Sequence, residues 1–214
     1  MLFWHKIMDD GCEIAVWKIE ESVDEILTLF SKKQSKKYAQ EIERFQFPKR
    51  KLEFLISRLL LNIITNSEKT VTYNKSGRPF LTDDSREISI SHTQNYVAVA
   101  AHTSLRVGID IEVRRDKAAR LKNKFMSQSE LDSIVDDAQE HILLHWSAKE
   151  TMFKLMDEQS VDFIDHLHIL PFSCDFDGGE FYCHETRTEQ EQSFNLKFLM
   201  FDDFVMVWGT SCLS

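Results

Sequence analysis

The stretch Val107-Gly-Ile-Asp-Ile-Glu-Val113 constrains the fold more than any other segment, because Val107, Ile109, Ile111 and Val113 alternate strictly with Gly108, Asp110 and Glu112. A period of two is the pattern of a β-strand, whose successive side chains point to opposite faces of the sheet. One face of this strand is expected in the core. The other carries two carboxylates about 6.6 Å apart along the backbone. Alone, such a pair reads as a solvated strand face bearing two acids. As a site, it offers hard oxygen donors of the kind Mg2+ takes beside water and substrate phosphates.

The elements around this strand follow from local signals. Glu13–Ile19 reads as a first strand, and Ser22-Val-Asp-Glu25 is a capping box opening a helix whose buried side is Ile26, Leu27, Leu29 and Phe30. From Ser31 to Gln46 the composition is polar and basic. Pro48 suits the first turn of a longer helix carrying Leu52, Leu55, Ile56, Leu59, Leu60 and Ile63. Val71–Tyr73, Glu87–Ser91 and Tyr96–Ala101 are expected as short strands of a sheet packed on that helix, with Asn74-Lys-Ser-Gly77 as a turn. Downstream, Ser127-Gln-Ser-Glu130 is a second capping box, a helix is expected over Glu140–Asp157, and Ile164 to Trp208 divides into four short strands. Helices followed by strands in each half predict an α+β fold of two similar lobes, divided as 1–103 and 104–214, although no sequence repeat is visible.

Composition bounds the function classes. With 43% apolar and 29% charged residues, the 214-residue chain has the balance of an ordinary packed protein. Its longest apolar runs, Tyr96–Ala101 and Phe204–Trp208, fall short of the roughly 20 residues a membrane-spanning helix needs, so no bilayer crossing is expected. Met1–Asp10 lacks the basic start and apolar stretch of a secretory signal, which makes the cytoplasm the expected compartment. Cys12, Cys174, Cys183 and Cys212 show no C-x-x-C spacing and read as free thiols. A net charge of −9 argues against nucleic acid as the general partner.

A second chemical element is Trp146-Ser-Ala-Lys-Glu150-Thr-Met-Phe-Lys154. At about 100° per residue, Leu144, Ala148, Met152 and Leu155 share one side of a helix, and Trp146, Glu150 and Lys154 share nearly the opposite side. An indole in line with an acid and a lysine suggests the wall of a cleft. The plainer alternative is an exposed Glu150–Lys154 ion pair, worth only a few tenths of a kcal/mol.

Taken together, Val107-Gly-Ile-Asp-Ile-Glu112 followed by Trp146-Ser-Ala-Lys-Glu150 and Lys154 resembles the paired signature of the 4′-phosphopantetheinyl transferase superfamily. Gly77-Arg78-Pro79 and Ile88-Ser-Ile-Ser91-His92 resemble two further segments of that family. The two-lobed organisation is similar to the surfactin-synthetase-activating (Sfp-like) branch, in which one chain holds both halves of the site. That likeness implies a pseudo-twofold fold and a monomer. It also implies a holo-[acyl-carrier-protein] synthase type of activity, moving the phosphopantetheine arm of coenzyme A onto a serine of an apo acyl or peptidyl carrier protein. Adenosine 3′,5′-bisphosphate would be released. By the same likeness Asp110, Glu112 and Glu150 would hold Mg2+ on the pyrophosphate, and Lys154 would add a positive charge there. Ser91 and His92 would bind the 3′-phosphate of coenzyme A, with Arg78 helping to hold the nucleotide. Glu150, or a water it orients, is the family-like base, and its roles as ligand and as base both stay open. Lys36, Lys37, Lys49, Arg50, Lys51 and Arg58 are available as further basic contacts, and spacing does not choose among them.

The chain departs from the family where a Gly-rich turn commonly follows the motif lysine, since Leu155–Ser160 contains no glycine, and Thr151 stands where alanine is frequent. Residues 165–214 offer no motif. Charge suggests one more feature, because Arg114, Arg115, Lys117, Arg120, Lys122 and Lys124 face a single acid, Asp116, directly after the carboxylate strand. In an acidic chain this segment is expected to steer and dock acidic carrier proteins, the alternative being an ordinary charged surface helix. Two other functions fit the same residues: a magnesium-dependent nucleotide pyrophosphohydrolase, and a non-catalytic coenzyme A or carrier-protein binding module.

Overall fold

In a computed structural model, which describes residues 1–115, 117–134, 138–156, 158–174 and 178–212, the chain forms two antiparallel sheets and a short hairpin, with helices outside them. The first half runs β1 (Leu2–Ile7), β2 (Glu13–Lys18), α1 (Val23–Thr28), α2 (Lys32–Glu41), α3 (Pro48–Thr65), β3 (Val71–Tyr73), β4 (Pro79–Leu81), β5 (Glu87–Thr93) and β6 (Tyr96–His102). The second runs β7 (Arg106–Val113), α4 (Lys117–Leu121), α5 (Gln128–Asp132), α6 (Ala138–Met156), β8 (Leu167–Ile169), β9 (Gly179–Glu185), β10 (Ser193–Met200) and β11 (Phe204–Ser211). The first sheet has the order β1-β2-β6-β5, the second β7-β11-β10-β9-β8, and β3 pairs with β4 alone.

The layers follow from which face each side chain takes. On the first sheet Ala15, Trp17, Val97, Val99 and Ala101 pack against Leu55, Ile56, Leu59 and Leu60 of α3. The opposite face, Ile14, Val16, Ala98 and Ala100, meets Val107, Ile109 and Ile111 of β7 together with Met206 and Trp208 of β11. Val205 and Val207, on the far side of β11, bury Leu144, Ala148, Met152 and Leu155 of α6. Both sheets are thus covered on both faces, in the order α3, first sheet, second sheet, α6. Each fully buried leucine or isoleucine in these layers contributes about 1.5–3 kcal/mol of transfer free energy.

The strand with the alternating carboxylates is correspondingly not half wet. Asp110 is only 4% exposed, because α6 lies over the face that the sequence pattern assigned to acids. Gly108 makes that approach possible: a Cβ there would stand 2.7 Å from the carbonyl oxygen of Thr151 and 2.9 Å from Cγ of Leu155. An alanine at 108 would force the helix off the strand.

Both capping boxes form, Ser22 with Glu25 and Ser127 with Glu130, and Pro48 stands at the start of α3. The four strands expected after residue 164 are present as β8 to β11. Three elements go beyond the sequence reading. β1 precedes the strand read as first, and its edge position leaves five of its six side chains exposed, which blurs any alternation. α2 occupies the polar Ser31–Gln46 stretch and opens on a third capping box, Ser31 with Gln34, while burying only Gln34 and Tyr38. β4 begins at Pro79, in a stretch where no strand was expected, and Pro79 needs no backbone N–H at the start of a two-stranded hairpin. No helix among the described residues is long and apolar enough to cross a membrane. None of the four cysteines forms a disulfide.

Candidate active site

The two sheets meet at β5 and β7, and hydroxyl groups bridge them. The backbone N–H groups of Ile109 and Ile111 donate to Oγ of Ser89 and Ser91 at 3.1 and 3.3 Å. Thr93, two residues on, donates its Oγ1–H to Oε2 of Glu112 at 3.0 Å. Alternation of Ser89, Ser91 and Thr93 along β5 thereby satisfies the exposed polar edge of β7 without strand pairing.

Around this joint the sequence-derived residues gather. Asp110 accepts through Oδ1 from Ser91 Oγ at 2.9 Å and Lys154 Nζ at 2.9 Å, and through Oδ2 from Ser147 Oγ at 2.8 Å. Lys154 also donates to the carbonyl of Ile109 at 2.7 Å. Glu112 accepts from the Trp146 indole at 3.1 Å. Burial, followed by the negative charge of Asp110 and with Glu112 adding to it, pushes the Glu150 carboxyl up to about 7, while Lys154 pulls the other way. Lys154 is therefore the partner of Asp110 rather than half of an exposed pair with Glu150. Glu150, Lys154 and Arg78 line one cleft of about 220 Å³ with Gly77, Pro79 and Phe153. Arg78 is itself ion-paired with Glu87.

On the neighbouring side, His92 Nε2 lies 3.0 Å from Nη1 of Arg50, and its Nδ1 lies 3.4 Å from Oε1 of Glu53. Burial lowers the His92 pKa; Glu53 opposes the shift, and Arg50, Lys154 and Lys49 reinforce it. Of the basic residues that spacing left open, Arg50 and Arg58 line the same hollow as His92, which Phe45, Phe54 and Tyr73 floor. Ser91 lies one residue from His92 on β5, but the residue is buried and its hydroxyl is turned to Asp110.

A third cavity, of about 420 Å³, runs from Glu112 and Trp146 over Val113, Leu121, Phe125 and Leu143, with Lys49 and Arg115 on its rim. Arg120, Lys122 and Lys124 are exposed nearby on α4 and the turn after it, and Arg114 stands 3.7 Å from Glu140. Asp116 and the Lys117 side chain lie outside the described residues.

Two motif residues to which the sequence reading gave no role are Ser147 and Lys149. Lys149 is fully buried and donates to the carbonyls of Phe125 and Phe163, each at 2.7 Å, and to Glu130 Oε2 at 2.8 Å. It ties α6 to the start of α5. The only sequence signal was their place inside Trp146–Glu150.

Among the described residues no three His, Cys, Asp or Glu side chains are gathered closely enough to hold a metal ion in this arrangement. Asp110 and Glu112 are turned to hydroxyl, indole and ammonium donors instead. The donor chemistry nevertheless suits a hard cation. The three side chains are carboxylates, hard oxygen donors of the kind such an ion takes, and Asp110 and Glu112 both act on the buried Glu150 carboxyl.

Residues 106–206 match the 4′-phosphopantetheinyl transferase superfamily, a span that takes in the carboxylate strand, α6 and most of the second sheet. The particular relative found is the Synechocystis sp. protein named "Putative 4'-phosphopantetheinyl transferase slr0495", 28% identical over 128 residues. The matched region covers 52% of this chain and 52% of that protein, so the chain spans about half the length of the curated relative it matches.

Proposed function

We propose that this chain transfers the 4′-phosphopantetheine moiety of coenzyme A to a serine hydroxyl of an apo acyl or peptidyl carrier protein, as a holo-[acyl-carrier-protein] synthase. The serine oxygen attacks the pantetheine-bearing phosphorus, the bond to the adjoining phosphate breaks, and adenosine 3′,5′-bisphosphate leaves with the electron pair. The observation that carries this reading is the meeting, at one joint, of Asp110 and Lys154 with Glu150 and His92. A pyrophosphate needs both charge types: cations to hold it, and carboxylates to recruit a divalent ion.

Asp110, Glu112 and Glu150 would hold Mg2+, which when bound neutralises charge developing on the phosphate oxygens. The chain's own residues supply the rest. Lys154 and Arg78 bind the phosphates in their cleft, and His92 with Arg50 takes the 3′-phosphate. Ser91 acts at Asp110 rather than as a direct nucleotide contact. Burial, with the charge of Asp110, pushes the Glu150 carboxyl up to about 7, and Glu150, or a water it orients, is the base we assign to the serine proton. Its ligand and base roles separate in Glu150→Gln, which keeps an oxygen donor and removes the base.

The larger cavity beside Glu112 gives the acceptor its approach, and Arg114, Arg115, Arg120, Lys122 and Lys124 steer an acidic carrier toward it. We read the chain as a cytoplasmic monomer of the Sfp-like type, with lobes 1–103 and 104–214 in a pseudo-twofold arrangement. Supporting this, each half has one antiparallel sheet backed by one long helix, and residues of both halves share the site within a single chain. Incubation with coenzyme A, Mg2+ and a panel of apo carriers tests the reading. A carrier gaining one phosphopantetheine supports it. Coenzyme A cleavage without a modified carrier indicates a pyrophosphohydrolase, and binding without reaction indicates a non-catalytic module.

A further inference from the structure

The environment of Asp110 carries an inference about two serines. Its oxygens are approached from two different parts of the fold: Ser91 Oγ, on the edge strand of the first sheet, reaches Oδ1, and Ser147 Oγ, on α6, reaches Oδ2. A serine hydroxyl has one proton to give. Ser91 Oγ already accepts from the Ile111 N–H at 3.3 Å, so its proton is committed to Asp110. Ser147 is fully buried, and a serine inside a helix commonly bonds the carbonyl four residues back; this one donates to Asp110 at 2.8 Å. With Lys154 also on Oδ1, the lone pair left open among the described residues is on Oδ2.

We infer that Ser91 and Ser147 are positioning residues that fix the rotation of the Asp110 carboxylate from two sides, and with it the direction in which the carboxylate offers an oxygen to the metal. The inference rests on the reading of Asp110 as a magnesium ligand. It gives the alternating hydroxyls of β5 a purpose beyond joining the sheets. The aim of the carboxylate depends on how β5 and α6 sit against β7, so misplacing either element misdirects the donor.

Mn2+ serves as the probe. Its binding to the full chain is followed by electron paramagnetic resonance for the wild type, Ser91→Ala and Ser147→Ala, with coenzyme A affinity measured separately in EDTA. Removing an outer partner of a metal ligand typically weakens metal binding about 10–100-fold, and a loss on that scale is expected in each variant, with coenzyme A affinity unchanged in Ser147→Ala. Mn2+ affinity equal to that of the wild type overturns the inference, as does a parallel loss of coenzyme A affinity in Ser147→Ala, which marks general damage. If Ser147→Ala does not fold, Ser91→Ala, which leaves α6 untouched, decides the matter alone. A wild type that binds no Mn2+ sinks the underlying metal reading as well, and shows this before any variant is compared.

Discussion

The indole of Trp146 donates to Oε1 of Glu112 at 3.1 Å, so the first residue of the helical motif is bonded to the last carboxylate of the strand motif. The ring is held by Phe125 and Phe163, with centroids at 5.1 and 5.9 Å. Trp146→Phe keeps most of that packing and deletes the donor. Transfer is expected to fall about tenfold while stability drops by about 1 kcal/mol, the net worth of one hydrogen bond. Steady-state rates beside urea unfolding check this. An unchanged rate would show that Glu112 needs no fixed orientation.

Lys149 and Glu130 form an ion pair with side chains 0% and 3% exposed. Lys149→Met leaves the Glu130 charge buried and two carbonyls without their donor. Destabilisation of about 3–5 kcal/mol is expected from breaking one side of a buried pair, with partial recovery in Lys149→Met/Glu130→Gln. Chemical denaturation reads both. A single variant as stable as the wild type would mean that α5 is held by other contacts.

His145 predicts an acid sensitivity. Burial lowers its pKa to about 4, although its bond to the His141 carbonyl acts the other way. The unfolded chain takes that proton near 6.5. Between these values the unfolded state binds more protons, so stability is fully present above about 6.5 and falls as pH drops toward 4, by about 3 kcal/mol across the window. In His145→Met this part of the slope should vanish from urea midpoints measured from pH 7 to 4. Its Nε2 is buried without a hydrogen-bond partner among the described residues, so the ring makes no bond to them there that methionine would lose. An unchanged slope would assign the acid sensitivity to other groups.

How much of this was legible in the sequence depended on whether a signal was local. Capping boxes at Ser22 and Ser127, the Pro48 start of α3 and the Val107–Val113 alternation are set by neighbours along the chain, and each marks an element that forms. The wheel of α6 also placed Leu144, Ala148, Met152 and Leu155 in the core correctly. Alternation could not tell that the acidic face of β7 is covered, because burial there comes from α6, packed from far along the sequence. Nor could it show that Lys154 bonds Asp110 in place of Glu150, or that Ser91 serves Asp110, since both contacts cross between elements. β1 was illegible for the opposite reason: an exposed edge strand carries little hydrophobic pattern to read.

The central claim is that the joint of β5, β7 and α6 carries out phosphopantetheine transfer. Its most direct test is the intact mass of an apo carrier protein after incubation with coenzyme A, Mg2+ and either the wild type or Asp110→Ala. The account predicts a carrier heavier by one phosphopantetheine with the wild type and an unmodified carrier with Asp110→Ala, although the variant remains folded. Equal modification by both proteins, or none by the wild type across fatty-acid, polyketide and peptide-synthetase carriers, would contradict it.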